Sequence, residues 1–323
     1  MKKNVAIIAG EPNSVSSEII FKSWKLKNKF RHKFLFVIGS IKLLNLQKNK
    51  LKYHFNIRKI NHKLNFSNFK SNELPVYDVE YDQKKPFDKI SNKSNKYIFK
   101  CFDVALKLAK EKKIIGFINC PISKEYLFKK QHQGITEFLS KKAGVDGKEA
   151  MLIYNKNLSV SPVTTHIPLR RVNKEINHYK IIKKVKIINN FYRKILKKKP
   201  NFAILGLNPH NFYSSNKSQE KQIIDRAIKS LIKSKIKVVG PISPDTGFMI
   251  FKKYKFDVII GMYHDQVLTP FKALFNFNAI NITLGLPYIR ISPDHGVAEN
   301  ITGKKIANPE SLIESIKFFN YIK

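Results

Sequence analysis

The sequence predicts an α/β fold with much parallel sheet. Three observations carry this. Apolar strand-like runs alternate with longer helical patterns along the chain, the order expected of strands joined by crossover helices. The run Asp257-Val-Ile-Ile-Gly-Met-Tyr263 has the look of a buried strand and leads straight into His264-Asp265. The length of 323 residues exceeds what one small core needs, so two lobes or one large α/β unit is expected.

The elements follow in order. Residues 5–9 read as a first strand and 14–27 as a helix with Ile19, Ile20 and Trp24 near one face. Residues 34–38 are the next strand. Residues 41–100 are rich in Lys and Asn and predict short strands, a loop and the start of a helix that continues over 97–110. A strand over 114–120 stops at Pro121, and short helices are predicted over 124–130 and 136–143. Residues 151–154 and 158–165 read as neighbouring strands, and 180–196 as a basic helix. A strand over 202–207 ends at Asn208-Pro209-His210, followed by a helix over 219–232 and a strand over 237–242. A further apolar strand ends on Asn281 and leads to Arg290. The last helix starts at Asn308-Pro309, with Asn as N-cap and Pro at the first helical position. No internal repeat and no long flexible linker is found, so a lobe boundary must sit in short connections near Pro121 and Pro287.

Composition narrows the function classes. The formal charge is +38, which suggests a nucleic-acid partner. Only seven of the 61 basic residues are Arg, however, and the lysines are spread along the whole chain. No aromatic RNA-binding pattern, zinc finger or basic-region helix accompanies them, so nucleic acid is not expected as the main partner. The positive field still favours anionic substrates and cofactors. No apolar run is long enough to span a bilayer, and the apolar run over 4–10 is too short for a signal-peptide core. A cytoplasmic protein is expected. Cys101 and Cys120 lie in apolar segments outside any CxxC pair and read as buried thiols.

Three histidines stand out. His166, His210 and His264 each follow the carboxyl end of a strand-like run, so one sheet edge could gather them. Neutral imidazoles suit zinc, cobalt or related divalent ions, and three leave open positions for substrate. Separate structural histidines are the alternative that spacing alone leaves open.

These stretches resemble a known family, 4-hydroxythreonine-4-phosphate dehydrogenase of pyridoxal phosphate (vitamin B6) biosynthesis. The matching segments are Thr164-Thr-His-Ile-Pro-Leu-Arg170, Gly206-Leu-Asn-Pro-His210, Met262-Tyr-His-Asp-Gln266, Asn281-Ile-Thr-Leu-Gly-Leu-Pro-Tyr-Ile-Arg290 and Asp294-His-Gly296. Weaker matches are Asn119-Cys-Pro-Ile-Ser-Lys124, Gly134-Ile-Thr-Glu-Phe-Leu139 and Gly240-Pro-Ile-Ser-Pro-Asp-Thr246. In order, they span nearly the whole chain.

The resemblance implies an isocitrate/isopropylmalate-dehydrogenase-like two-lobed fold with the active site in the interlobe cleft. Residues 1–122 with 286–323 would form the lobe with the cofactor loops, and 123–285 the lobe with the metal and substrate site. It implies a homodimer with shared active sites and one divalent metal per site (Zn, Co or Mg), held by His166, His210 and His264. Thr136, Lys272, Asn281 and Arg290 would contact substrate; Lys272 and Arg290 suit a phosphate or carboxylate. Asp245 and Asp265 are candidate catalytic carboxylates, as proton relays or second-layer metal contacts. Gly10 and Glu11, with Asp294, His295 and Gly296, would line the NAD or NADP site, which in this superfamily lacks a GxGxxG turn. The implied reaction is oxidation of 4-phosphooxy-L-threonine to 2-amino-3-oxo-4-phosphooxybutanoate. That β-keto acid loses carbon dioxide to give 3-amino-2-oxopropyl phosphate.

Three departures from the family pattern stand out. Ser14, Val15, Ser16 and Ser17 occupy a loop that is usually richer in glycine. Ile135 stands where the family usually has a substrate-binding His. Residues 211–215, Asn-Phe-Tyr-Ser-Ser, replace a small Gly-rich acidic loop after His210. The last two keep open a sister activity on another four-carbon phosphorylated hydroxy acid, threonate or erythronate 4-phosphate.

Overall fold

The computed structural model describes residues 4–29, 34–66, 69–128, 134–145, 147–211, 218–276 and 278–322. In chain order the first elements are β1 (Val5–Ile8), α1 (Ser16–Lys25), β2 (Leu35–Gly39), α2 (Ile41–Lys50), β3 (Asn56–Lys59), β4 (Glu73–Asp78), α3 (Asn95–Lys110), β5 (Gly116–Asn119), α4 (Lys124–Phe128) and α5 (Ile135–Lys142). There follow β6 (Ala150–Tyr154), β7 (Ser159–Pro162), α6 (Leu169–Glu175), α7 (His178–Lys194), β8 (Phe202–Leu205), α8 (Arg226–Lys233), β9 (Val238–Ile242) and α9 (Pro244–Ile250). The last are β10 (Val258–Gly261), α10 (His264–Phe275), β11 (Ile280–Leu284), β12 (Ile289–Pro293) and α11 (Glu310–Phe318). The fold is α/β, and the chain divides into two compact units: Met1–Ile135 with Pro287–Tyr321, and Thr136–Leu286 with Ile322–Lys323.

The first unit carries the strand order β3-β4-β2-β1-β5-β12, with parallel pairing throughout. Strands covered on both faces must be apolar throughout, and β1, β2 and β5 are buried at every residue. The helix α2 departs from the strands and loop predicted after residue 41. Its apolar face is narrow, with Leu43, Leu44 and Gln47 as its buried residues, and the intervening Lys and Asn dilute the periodicity. The Ser40 side chain accepts a hydrogen bond from Leu43 N at 3.3 Å and caps it.

The second unit has the order β11-β6-β7-β10-β8-β9 and a mixed sheet. β11, β6 and β7 pair antiparallel, while β7, β10, β8 and β9 run parallel. The β6–β7 turn closes through Asn155, whose Oδ1 accepts from Asn157 N at 2.9 Å. Ile153, Val160, Leu205, Ile259, Val267 and Phe271 belong to the core beneath α10. One sequence expectation is corrected here. Asn281 is the second residue of β11, not the end of a strand, because residues 281–284 continue the antiparallel ladder with β6. The polar segment after β10 starts a helix at His264 that runs through Pro270 to Phe275.

Among the described residues no helix is long and apolar enough to cross a membrane. Both cysteines are buried. Burial pushes the Cys101 thiol up to about 12 and the Cys120 thiol higher still. Because the thiolate is the reactive form, neither should react with an aromatic disulfide reagent at pH 8 in the native protein. Both should titrate after denaturation; stoichiometric labelling of the folded protein would contradict this.

Candidate active site

The three predicted histidines are brought towards one edge by strand order. β7, β10 and β8 lie side by side and parallel, so their carboxyl ends point the same way. His166 follows β7, His264 follows β10 and His210 follows β8. A side-chain anchor draws the first two together: Thr164 Oγ1 donates to Met262 O at 2.8 Å, and Thr164 N donates to the same oxygen at 3.2 Å. The His166 and His264 rings lie with centroids 5.9 Å apart.

Each histidine has a carboxylate beside it. His264 Nδ1 is 2.7 Å from Asp265 Oδ1, a hydrogen bond that can fix ring orientation and leave the Nε2 lone pair facing outward. His166 Nδ1 is 3.8 Å from Glu137 Oε1, and His210 Nδ1 is 3.8 Å from Asp245 Oδ2. Asp245 is exposed; the Ser243 hydroxyl, 2.6 Å from Oδ1, and then His210 hold its carboxyl below the usual carboxylate range.

His210 is placed differently from the other two. Its side chain is 85% exposed, and it sits in a left-handed conformation (φ 50°), followed by Asn211 (φ 59°). Consecutive left-handed residues other than Gly are strained and need support. Glu220 supplies it from the interior: Oε1 accepts from Leu207 N at 3.1 Å and Asn208 N at 2.9 Å, and the Asn208 side-chain amide also bonds to this carboxylate. Asn211 Nδ2 donates to Pro241 O at 2.9 Å from the other side. Residues 212–215 of the loop singled out in the sequence lie outside the described residues.

Among the described residues no group of three or more His, Cys, Asp or Glu side chains is close enough to hold a metal ion. The His166–His264 pair nonetheless fits part of such a site. Two imidazoles bound to one divalent ion at about 2.0–2.1 Å have ring centroids roughly 5–6 Å apart. The observed spacing of 5.9 Å falls in that range. His210 is the ligand that the structure leaves outside the pair.

The predicted substrate contacts fall into separate groups. Thr136 Oγ1 lies 3.3 Å from Thr283 Oγ1 on β11. Thr283 shares its strand face with Asn281, two residues earlier. The Asn281 Oδ1 atom is buried with no hydrogen-bond partner among the described residues, which fits an acceptor awaiting a ligand. Ile135, beside Thr136, is buried. Lys272 occupies the last turn of α10, about 12 Å along the axis from His264 at 1.5 Å per residue. In the first unit, Arg290 on β12 is only 3% exposed, and its Nε donates to Asn119 Oδ1 at 2.7 Å.

The two predicted cofactor loops meet in the first unit. Val15 N donates to Val297 O at 3.2 Å, and the buried Glu18 carboxylate accepts from Lys305 N and Ala307 N at 3.1 and 2.7 Å. Gly10 is required by its backbone (φ 77°), and a Cβ there would stand 2.5 Å from Pro121 O. Glu11 is 2% exposed; its oxygens accept from Asn13 N and the Ser94 hydroxyl, and burial raises its pKa. Hydroxyls shape the loop where glycines are fewer. Ser14 Oγ donates to Glu11 O at 2.7 Å, and Ser16 Oγ donates to Pro121 O at 3.2 Å. Asp294 N donates to Ser311 Oγ at 2.7 Å, and His295 Nδ1 lies 2.8 Å from Gly296 O. Gly296 faces open space, with nothing within 4 Å of where a Cβ would be.

Residues 31–319 match the family described as pyridoxal phosphate biosynthetic protein PdxA. This chain belongs to the PdxA family. It is 38% identical to a 4-hydroxythreonine-4-phosphate dehydrogenase of Sulfurihydrogenibium sp., over 99% of this chain and 98% of that protein. It is 30% identical to a protein of Oceanobacillus iheyensis named for D-threonate 4-phosphate dehydrogenase, over 98% and 96%. The crystal structure of 4-hydroxythreonine-4-phosphate dehydrogenase from Klebsiella pneumoniae superposes with a TM-score of 0.86 at 29% identity, covering 98% of each chain.

Within this PdxA-family chain, three supporting residues escaped sequence reasoning. Thr283 could have been found from strand alternation with Asn281. Asn119, at the end of β5, carried the weak signal of a polar residue closing an apolar run. Glu220 carried no local signal, because its partners lie 12 and 13 residues away in a turn.

Proposed function

We propose that this PdxA-family chain oxidises 4-phosphooxy-L-threonine at its 3-hydroxyl with NAD or NADP and a divalent metal, followed by decarboxylation to 3-amino-2-oxopropyl phosphate. The observation that carries the reading is the pair His166 and His264, with a third histidine in the turn after the neighbouring strand β8. His166, His264 and His210 would hold the ion. When bound, a divalent ion would supply Lewis acidity to the substrate hydroxyl and then the ketone, and a nicotinamide would accept the hydride.

The chain's own residues supply the rest. Asp265 orients His264 through Nδ1, and Asp245, held ionised, is placed to take a proton near His210. Asn281 Oδ1 and the Thr136 hydroxyl offer an acceptor and a donor to polar substrate groups. Arg290, its Nε fixed by Asn119, offers a guanidinium to a phosphate or carboxylate, and Lys272 is a second cation of this kind. The cofactor reading assigns Gly10, Glu11, Asp294, His295 and Gly296 to the paired loops of the first unit. A homodimer is part of the proposal: Met249 on α9 is 79% exposed, and Val239 lies exposed on the edge strand β9.

A second reading is favoured by Ile135, which cannot give the hydrogen bond of a His, and by the relative named for D-threonate 4-phosphate. One assay separates the two. Purified protein is given NAD or NADP with 4-phosphooxy-L-threonine, D-threonate 4-phosphate or erythronate 4-phosphate, before and after chelation and metal readdition. We expect the highest kcat/KM on 4-phosphooxy-L-threonine, lost on chelation and restored by zinc, cobalt or magnesium. Preference for threonate or erythronate phosphate would select the second reading, and no turnover with any pair would sink both.

A further inference from the structure

Gln266 lies two residues beyond His264 in the first turn of α10, and its side-chain amide touches two strand ends. Its Oε1 accepts from Met262 N at 2.6 Å, and its Nε2 donates to Gly206 O at 2.7 Å. Met262 follows β10 and precedes His264; Gly206 follows β8 and opens the turn to His210. One planar group therefore spans the two peptides from which these histidine segments leave the sheet. The opposite side of Met262 is also engaged, since its carbonyl accepts both bonds from Thr164, two residues before His166. Met262 is thus a node that joins all three segments, with Gln266 and Thr164 as its side-chain arms. Room has been made for the amide: a Cβ at Gly261 would come within 2.9 Å of Gln266 Oε1.

We propose that Gln266 is a positioning residue that fixes the start of α10 against the β8 strand end and, with Thr164, sets how His264 meets His166, the pair that would share the ion. The inference rests on the histidine–metal reading above. The bland alternative is that Gln266 only satisfies two peptide groups left over at the strand ends. Both roles use the same hydrogen bonds, so stability alone cannot separate them, and metal binding can. Gln266→Glu is the sharpest probe: it is isosteric and keeps the acceptor for Met262 N. It loses the donor and sets an oxygen against Gly206 O.

The experiment measures Co(II) affinity of the metal-free protein by chelator competition, the visible spectrum of the Co(II) form, and the melting temperature without metal. Wild type, Gln266→Glu, Thr164→Val and His264→Ala are compared. Loss of a partner behind the ligands typically weakens binding about 10–100-fold. That loss is expected for Gln266→Glu, with a shifted Co(II) spectrum and a metal-free melting temperature within a few degrees of wild type. Thr164→Val, which cuts the other arm of the node without changing shape, should weaken Co(II) binding by about tenfold. Wild-type affinity and spectrum in Gln266→Glu, with binding abolished in His264→Ala, would overturn the inference and leave the metal reading intact. Unchanged binding in His264→Ala would overturn the metal reading itself, and the inference with it. Should Gln266→Glu fail to fold, Thr164→Val decides: unchanged affinity there overturns the proposal.

Discussion

Replacing His264 by Ala is expected to lower kcat by about 10²–10³-fold, the size of losing one electrostatic contact to a developing oxyanion. Three features single out this histidine. It starts α10, a helix seated on the second unit's core, so its backbone is fixed. Its ring faces His166 at 5.9 Å, the spacing of two ligands that share an ion. It also has the shortest carboxylate contact of the three, 2.7 Å to Asp265, so ring orientation is set before any ligand arrives. Its side chain is partly exposed, so removal leaves little cavity and the fold should survive. The smaller change Asp265→Asn keeps the imidazole and loses the ionic partner; its cost should be nearer tenfold. Steady-state kinetics with a count of bound metal per chain checks both. Turnover in His264→Ala within tenfold of wild type, or full metal content, would count against the site.

The largest effect on stability is expected from Phe271→Ala, at about 3–5 kcal/mol for an aromatic deleted from a packed core. Phe271 is fully buried in the cluster beneath α10 and meets the Phe275 ring at a centroid distance of 4.8 Å. The same helix carries His264 and Gln266 at its start, so a cavity here reaches the site through the helix axis. At about 2–4 °C per kcal/mol for a unit of this size, the melting temperature should fall by roughly 6–20 °C. Because the chain has two compact units, the transition is best followed by near-ultraviolet circular dichroism, whose early phase should report the second unit. A shift under about 3 °C would mean that the core under α10 repacks around the loss.

Much of the architecture can be read from local pattern. β1 and β10 are short, wholly apolar runs and β5 is apolar up to its last residue, Asn119, which is what strands covered on both faces require. Where that signal is diluted the reading fails: α2 hides its narrow face among Lys and Asn, and α10 opens on His-Asp-Gln and contains Pro270. Asn281 reads as the end of a strand because a polar residue interrupts an apolar run. The residues after it pair antiparallel with β6, a partner chosen over a hundred residues away.

The position of each histidine after an apolar run was plain from the sequence, and so was the chemistry that imidazole, carboxylate and guanidinium groups can do. The sequence by itself therefore determined an α/β protein of this family with three histidines set just after apolar strands. Tertiary structure decided which strand ends become neighbours. The order β7-β10-β8 sets His166 beside His264, and the bonds that hold these ends join Gln266 to Gly206 across 60 residues and Thr164 to Met262 across 98. Such pairings follow from sheet order and buried hydrogen-bond satisfaction, which act across the assembled sheet and leave no local periodicity to read.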